Sequence, residues 1–529
     1  MYRIAEQRLS RLINLGGSRL LAGSLIGLEK ESLRVSPDGG LAQTTHPAAL
    51  GSPLTHPYIT TDYSEALAEF VTPPCTEIQG ALDSLRDTQQ FVYGVMDEAP
   101  DMELLWATSM PCVVAGETSI PIAQYGSSNA GTMKTVYRRG LGHRYGRVMQ
   151  VIAGVHFNYS FPESFWSVYQ DIEQQTGEPQ DFISASYFAL IRNLQRFGWL
   201  VPYLFGASPA VCKSFLGGKT SRLDSFNETT YFQEFATSLR MGDIGYQNNQ
   251  EAESGIKASY DSVESYVASL KCATETPFPD YKKFGVQLGG RYEQLNANIL
   301  QIENEYYSTI RPKQIMQPFE KPICALKQRG VRYVELRSID VNAYDPLGIN
   351  DRQLRFLEAF LVFCQLHESP HISEQERKDI DHNELATAHR GRDPHLMLSR
   401  NGKKVHLKKW AAEIIEAMAG VCELLDEGDD CKPYTESLLI QAEKVQDSDR
   451  TPSARMLAEM RSQGEGFFHF ALRMAQQHQA YFRGLKPSPA REKEYKQIAK
   501  QSWARQREIE NSDEEPFSAY LERYFAQPV

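Results

Sequence analysis

Apolar and polar residues alternate through Leu25-Ile26-Gly27-Leu28-Glu29-Lys30-Glu31-Ser32-Leu33-Arg34, which predicts a strand over 22–34. Side chains two apart in a strand share a face, so Gly27, Glu29 and Glu31 point the same way. The same period predicts a strand over 148–160, with Gln150, Gly154, His156 and Asn158 on one face and Val151, Val155, Phe157 and Tyr159 on the other. A third spans 331–339, where Tyr333, Glu335 and Arg337 share a face, and 295–307, with Glu303 and Glu305 two apart, is a fourth candidate. Segment 59–73 reads two ways: a helix capped by Asp62, or a strand over 66–72 that ends at Pro73 and turns Asp62 and Glu69 towards a site. Residues 1–20 read as an amphipathic helix stopped by Gly16-Gly17, residues 36–40 as a turn, and 124–146 as a Gly-, Ser- and Arg-rich loop. From about 350 the period becomes helical, and the tail after Lys486-Pro487-Ser488-Pro489 is charged and helix-prone. Strands followed by helices suggest an α+β fold around an antiparallel sheet.

The polar faces taken one at a time suit the solvated side of such a sheet. Together they hold Glu29, Glu31, His156, Asn158, Glu335 and Arg337 with few lysines. Like charges on one face repel unless a cation lies between them. Hard oxygen donors in this number suit Mg²⁺, with one histidine adding tolerance for Mn²⁺. Arg240 and Arg311 are candidates to clamp a carboxylate or phosphate, because the guanidinium fork matches both.

Bulk properties narrow the class. The 529 residues carry a net charge of -11, against the basic excess of a nucleic-acid binder. Eight scattered cysteines without a C-x-x-C pair fit neither a zinc motif nor a compact disulfide framework. The charged N-terminus lacks the apolar core of a signal peptide, and no apolar run is long enough to span a membrane, so a cytoplasmic protein with reduced thiols is expected. Gly217-Gly218-Lys219-Thr220 ends like a phosphate-binding loop, but Lys213 stands where that motif needs glycine.

Several segments in order resemble the glutamate–cysteine ligase family of proteobacterial type: Gly-Leu-Glu-Lys-Glu-Ser-Leu-Arg (27–34), Ile-Thr-Thr-Asp-Tyr-Ser-Glu-Ala-Leu-Ala-Glu-Phe (59–70), Ala-Gln-Tyr-Gly-Ser-Ser-Asn (123–129), Gly-Val-His-Phe-Asn (154–158), Pro-Tyr-Leu-Phe-Gly-Ala-Ser-Pro (202–209), Leu-Gln-Ile-Glu-Asn-Glu (300–305) and Tyr-Val-Glu-Leu-Arg-Ser-Ile-Asp (333–340). The resemblance implies a glutamine-synthetase-like fold, an antiparallel sheet curved into a funnel with helices outside. It implies one catalytic unit over 1–529, sheet-rich to 350 and mainly helical from 351 to 529, where length alone suggests about three domains. It favours the strand over 66–72. The family's metal ligands fall on Glu29, Glu31, Asp62, Glu69, His156 and Glu335, and its phosphate-contacting arginine on Arg337, so Glu335 and Arg337 are expected to be catalytic. Its cysteine pocket falls on Tyr63, Tyr137, Leu141, Gln150, Arg240, Tyr246 and Tyr307. Tyr63 departs from the Phe of the family pattern, which puts an added hydroxyl at the pocket rim. The implied activity is ATP- and Mg²⁺-dependent joining of glutamate to cysteine through γ-glutamyl phosphate, the first step towards glutathione, by a cytoplasmic monomer. A ligase for another amine, or a non-catalytic nucleotide or amino-acid sensor, are the competing readings.

Overall fold

A computed structural model describes residues 2–111, 114–217, 221–245, 257–486 and 488–529. Its centre is a seven-stranded antiparallel sheet built from β1 (Leu25–Val35), β2 (Ile59–Thr61), β3 (Leu67–Val71), β4 (Leu104–Leu105), β5 (Val155–Ser160), β6 (Ile310–Lys313) and β7 (Tyr333–Ile339). The strands run in the order β6-β7-β5-β1-β3-β2, and β4 pairs with the end of β1. The family-implied α+β class holds, and 66–72 is a strand rather than a capped helix.

One face of this sheet belongs to the core. Ile26, Leu28, Phe157, Tyr159, Val334 and Leu336 are buried there. Helix Asp351–Leu366, with Leu354 and Phe360 fully enclosed, packs against helix Pro179–Phe197, and helix Ile78–Glu98 lies against β1. The period of two therefore also sends Lys30 and Arg34 inward, opposite Glu29 and Glu31. Lys30 donates to Gln89 Oε1 at 2.6 Å, and burial pulls its pKa down to about 7. Arg34, 1% exposed, pairs with the buried Glu103 and donates to the carbonyls of Thr44, Thr45 and Glu65 at 3.0, 3.1 and 2.9 Å. One guanidinium thus ties β1 to β4 and to the loop that leads into β2 and β3.

Three expected elements differ. Segment 124–146 contains the helix Asn129–Tyr145, capped by Ser128, whose Oγ accepts the Gly131 N–H at 3.1 Å. The glycines that read as loop are packing positions instead. A Cβ on Gly131, Gly140 or Gly142 would come within 2.3 Å of Tyr125 O, 2.2 Å of Gln301 Oε1 and 2.4 Å of the Tyr63 hydroxyl, respectively. The 148–160 strand is only its second half, because Val148–Val151 is a 3₁₀ turn, so the alternation does not reach Gln150. Segment 295–307 is not a strand: Glu303–Glu305 is a 3₁₀ turn. There Glu305 accepts from Arg144 Nη1 and the Tyr145 hydroxyl at 2.8 and 2.9 Å and from Gln301 N–H at 2.8 Å, which pins the turn to the Asn129–Tyr145 helix.

Removing one partner of a buried ion pair strands the other charge. Glu103→Ala is expected to lower unfolding free energy by about 3–5 kcal/mol in urea denaturation, while Glu6→Ala, at an exposed position, stays within about 1 kcal/mol.

Candidate active site

The opposite face of the sheet carries the chemistry, and strand register assembles it. Glu29 on β1 stands across from His156 on β5 and Val71 on β3, Glu31 across from Glu69, and Glu335 on β7 across from Asn158 and from Arg311 on β6. His156 is the hinge of the cluster. Its Nδ1 lies 3.1 Å from Glu29 Oε2 and 3.5 Å from Glu335 Oε1, and its Nε2 lies 3.8 Å from Glu31 Oε1. Ligand atoms of Glu29, His156 and Glu335 all fall within 4.8 Å of one another. Asn158 Nδ2 donates to Glu29 Oε1 at 3.0 Å, and the Gly154 N–H donates to Glu31 Oε2 at 2.7 Å, so the two carboxylates are aimed from β5 and from the residue just before it.

Arg337 approaches from β7, whose pairing with β5 shifts register between Leu336 and Ile339. Such an irregularity re-aims a side chain at a sheet edge. The Arg337 N–H donates to Thr309 O at 2.8 Å, and its Nη1 donates to Glu335 Oε1 at 2.9 Å. Lys313 Nζ stands 3.1 Å from the other oxygen, Glu335 Oε2. These charges decide the ionisation of the cluster. Burial raises the Glu335 pKa, but Lys313, Arg337 and His156 outweigh it and hold the carboxyl well below its usual range. Glu69 is the opposite case: burial, then the charges of Glu29, Asp62 and Glu31, push it well above. Burial also raises Glu31. Glu69 has no ion-pair partner among the described residues.

The strand face floors a cavity of about 410 Å³. Thirteen of the fourteen residues onto which the family resemblance maps the site line it, including Asp62 just beyond β2, Tyr137 and Leu141 on the Asn129–Tyr145 helix, Gln150 on the 3₁₀ turn, and Arg240 and Tyr307. The fourteenth, Tyr246, lies outside the described residues. The Tyr63 ring faces the cavity, but its hydroxyl packs against Gly142, fully shielded and without a hydrogen-bond partner among the described residues. The extra hydroxyl therefore sits in the wall behind the pocket, not at its rim.

Several cavity residues escaped the sequence reading. Lys313 is two residues beyond Arg311 on β6, so the alternation rule could have found it. Lys134 and Arg138 lie one helical turn apart and also line the cavity; reading that helix as a loop hid their common face. Arg138 binds the Asp62 main-chain carbonyl, and its Nη2 lies 3.9 Å from Asp62 Oδ1. The donor set suits hard divalent cations: it is mostly carboxylate oxygen, it crowds like charges, and it leaves Glu69 without an ion pair among the described residues. Zinc would favour the softer nitrogen and sulfur donors.

Comparisons with known proteins agree on one family. A glutamate–cysteine ligase family model matches residues 9–387. Glutamate–cysteine ligases of Alcanivorax borkumensis and Pseudomonas aeruginosa are 47% and 45% identical over 526 residues, covering 98–99% of both chains. The crystal structure of the Francisella tularensis glutamate–cysteine ligase in complex with AMP superposes with a TM-score of 0.88 at 37% identity, over 95% of this chain and 98% of that one. A bifunctional glutathione synthetase from Pasteurella multocida shares the fold alone, with a TM-score of 0.70 at 23% identity over 91% of this chain and 54% of its own. Identity sustained over nearly the whole length, on a sheet whose polar face carries the family's motifs, makes this chain a member of the glutamate–cysteine ligase family.

Proposed function

We propose that this protein joins the γ-carboxylate of glutamate to the amino group of cysteine at the expense of ATP, the first step towards glutathione. The convergence of thirteen expected residues on one cavity carries the reading. Amide formation in water is uphill and a carboxylate is a poor electrophile, so the route runs through an acyl phosphate. A γ-carboxylate oxygen attacks the γ-phosphorus, and ADP leaves. The cysteine amine then attacks the acyl carbon, the bond from carbon to the phosphate oxygen breaks, and the amine loses a proton as phosphate departs.

Glu29, His156 and Glu335 would hold one divalent cation, and Glu31, Asp62 and Glu69 would share in holding others, with Mg²⁺ favoured and Mn²⁺ tolerated. Bound there, such ions supply the positive charge that lets a triphosphate lie over a face of carboxylates. Arg337 would stabilise charge on the transferring phosphoryl group, with Glu335 and Lys313 fixing its place. Arg240, Tyr137 and Tyr307 would form the cysteine pocket. We read the protein as a single catalytic unit and a monomer. No helix among the described residues is long and apolar enough to cross a membrane.

Incubation with glutamate, cysteine, ATP and Mg²⁺ should release ADP and γ-glutamylcysteine, and a chelator should stop both; product with another amine but none with cysteine would reassign the substrate. Glu335→Gln should cut turnover roughly a hundredfold or more with the fold retained by circular dichroism, and near-normal activity would remove Glu335 from the ligand set. Tyr63→Phe should leave the KM for cysteine within about twofold and raise stability by about 1 kcal/mol, because it deletes a buried hydroxyl without a partner. A large KM change would place that hydroxyl in the pocket after all.

A further inference from the structure

Arg240 is held more firmly than a surface-mounted arginine could be. It sits on the 3₁₀ turn Leu239–Met241, 3% exposed, and its Nη2 donates to Arg337 O at 2.8 Å. Gly154 leaves the space it needs, since a Cβ there would come within 2.1 Å of that Nη2. On another side stands Asp340, the residue after β7, 1% exposed. Asp340 Oδ2 accepts the Ala207 N–H and its Oδ1 accepts the Ser238 hydroxyl, both at 2.9 Å, which fixes the carboxylate before Arg240 arrives. Arg240 Nη1 then lies 3.6 Å from Asp340 Oδ1. Asp340 does not line the cavity; Arg240 does.

We propose that Asp340 and the Gly154 slot preset Arg240 to hold the α-carboxylate of the amine substrate, so that Asp340 is a positioning residue for cysteine. This rests on the functional reading above. An arginine carries much rotamer entropy, and ordering it before the substrate arrives removes that cost from binding. Asp340 also answers the buried guanidinium charge. Gly154 serves both sides: its N–H aims Glu31, and its missing side chain admits Arg240.

The test is steady-state kinetics on the full chain. Asp340→Asn is expected to raise the KM for cysteine about tenfold while the KM for ATP and for glutamate stay within about twofold. Asp340→Glu should recover part of the loss. Ser238→Ala, a milder change that loosens one bond to Asp340, should move the cysteine KM the same way by a few fold, and it decides the matter where the others fail to fold. Unchanged cysteine KM in the folded variants, or a uniform loss across all three substrates, overturns the inference while wild-type dipeptide synthesis still stands. No dipeptide from the wild-type protein overturns the functional reading itself.

Discussion

Mutual repulsion among carboxylates on one sheet face is the constraint on which the rest of this structure depends. Glu29, Glu31 and Glu69 are brought together by the register of β1 with β3, and Glu335 joins them across β5. The protein answers only part of that charge. Arg337, Lys313 and His156 gather around Glu335 and hold it ionised, whereas Glu69 faces three other acids with its pKa pushed up. Such an imbalance suits a cation-dependent site, in which, on the reading proposed above, bound cations would supply the missing positive charge.

Such a face is stable only on a rigid support, and the other side of the same strands supplies it. The period of two that sends Glu29 and Glu31 to the cavity sends Leu28, Lys30 and Arg34 to the core. Arg34 ties β1 to three neighbouring segments through carbonyls and Glu103, and Lys30 spends its ammonium on Gln89. A one-residue slip of β1 would put the acids in the core and the grease in the cavity, so register and site chemistry enforce one another.

Much of this was legible in the sequence because strand faces are. Glu29 with Glu31, and Glu335 with Arg337, follow from alternation alone, and family resemblance was needed to settle the strand over 66–72, where Asp62 fitted a helix cap equally well. What alternation could not show were positions set by tertiary contact. The Asn129–Tyr145 helix read as loop because three of its glycines serve close packing against Tyr125, Gln301 and Tyr63 rather than chain flexibility. Gln150 was placed on a strand face yet reaches the cavity from a 3₁₀ turn, and Glu303 with Glu305 mimicked a strand while Glu305 anchors a turn to that helix.

Charge also divides the sheet from edge to edge. The β6–β7 edge brings Arg311, Lys313 and Arg337 around a single acid, Glu335, and the β1–β3–β2 side brings Glu29, Glu31, Glu69 and, just past β2, Asp62. His156 stands where the two halves meet, within 3.8 Å of acids from β1 and β7 alike. On the reading proposed above, a phosphoryl group would meet both at once: fixed cations of the protein on one flank, and carboxylates that could hold metal on the other. The strand order places that boundary at β5, the strand that pairs with both halves. A substitution on β5 should therefore disturb both flanks together, whereas one at either edge should disturb its own.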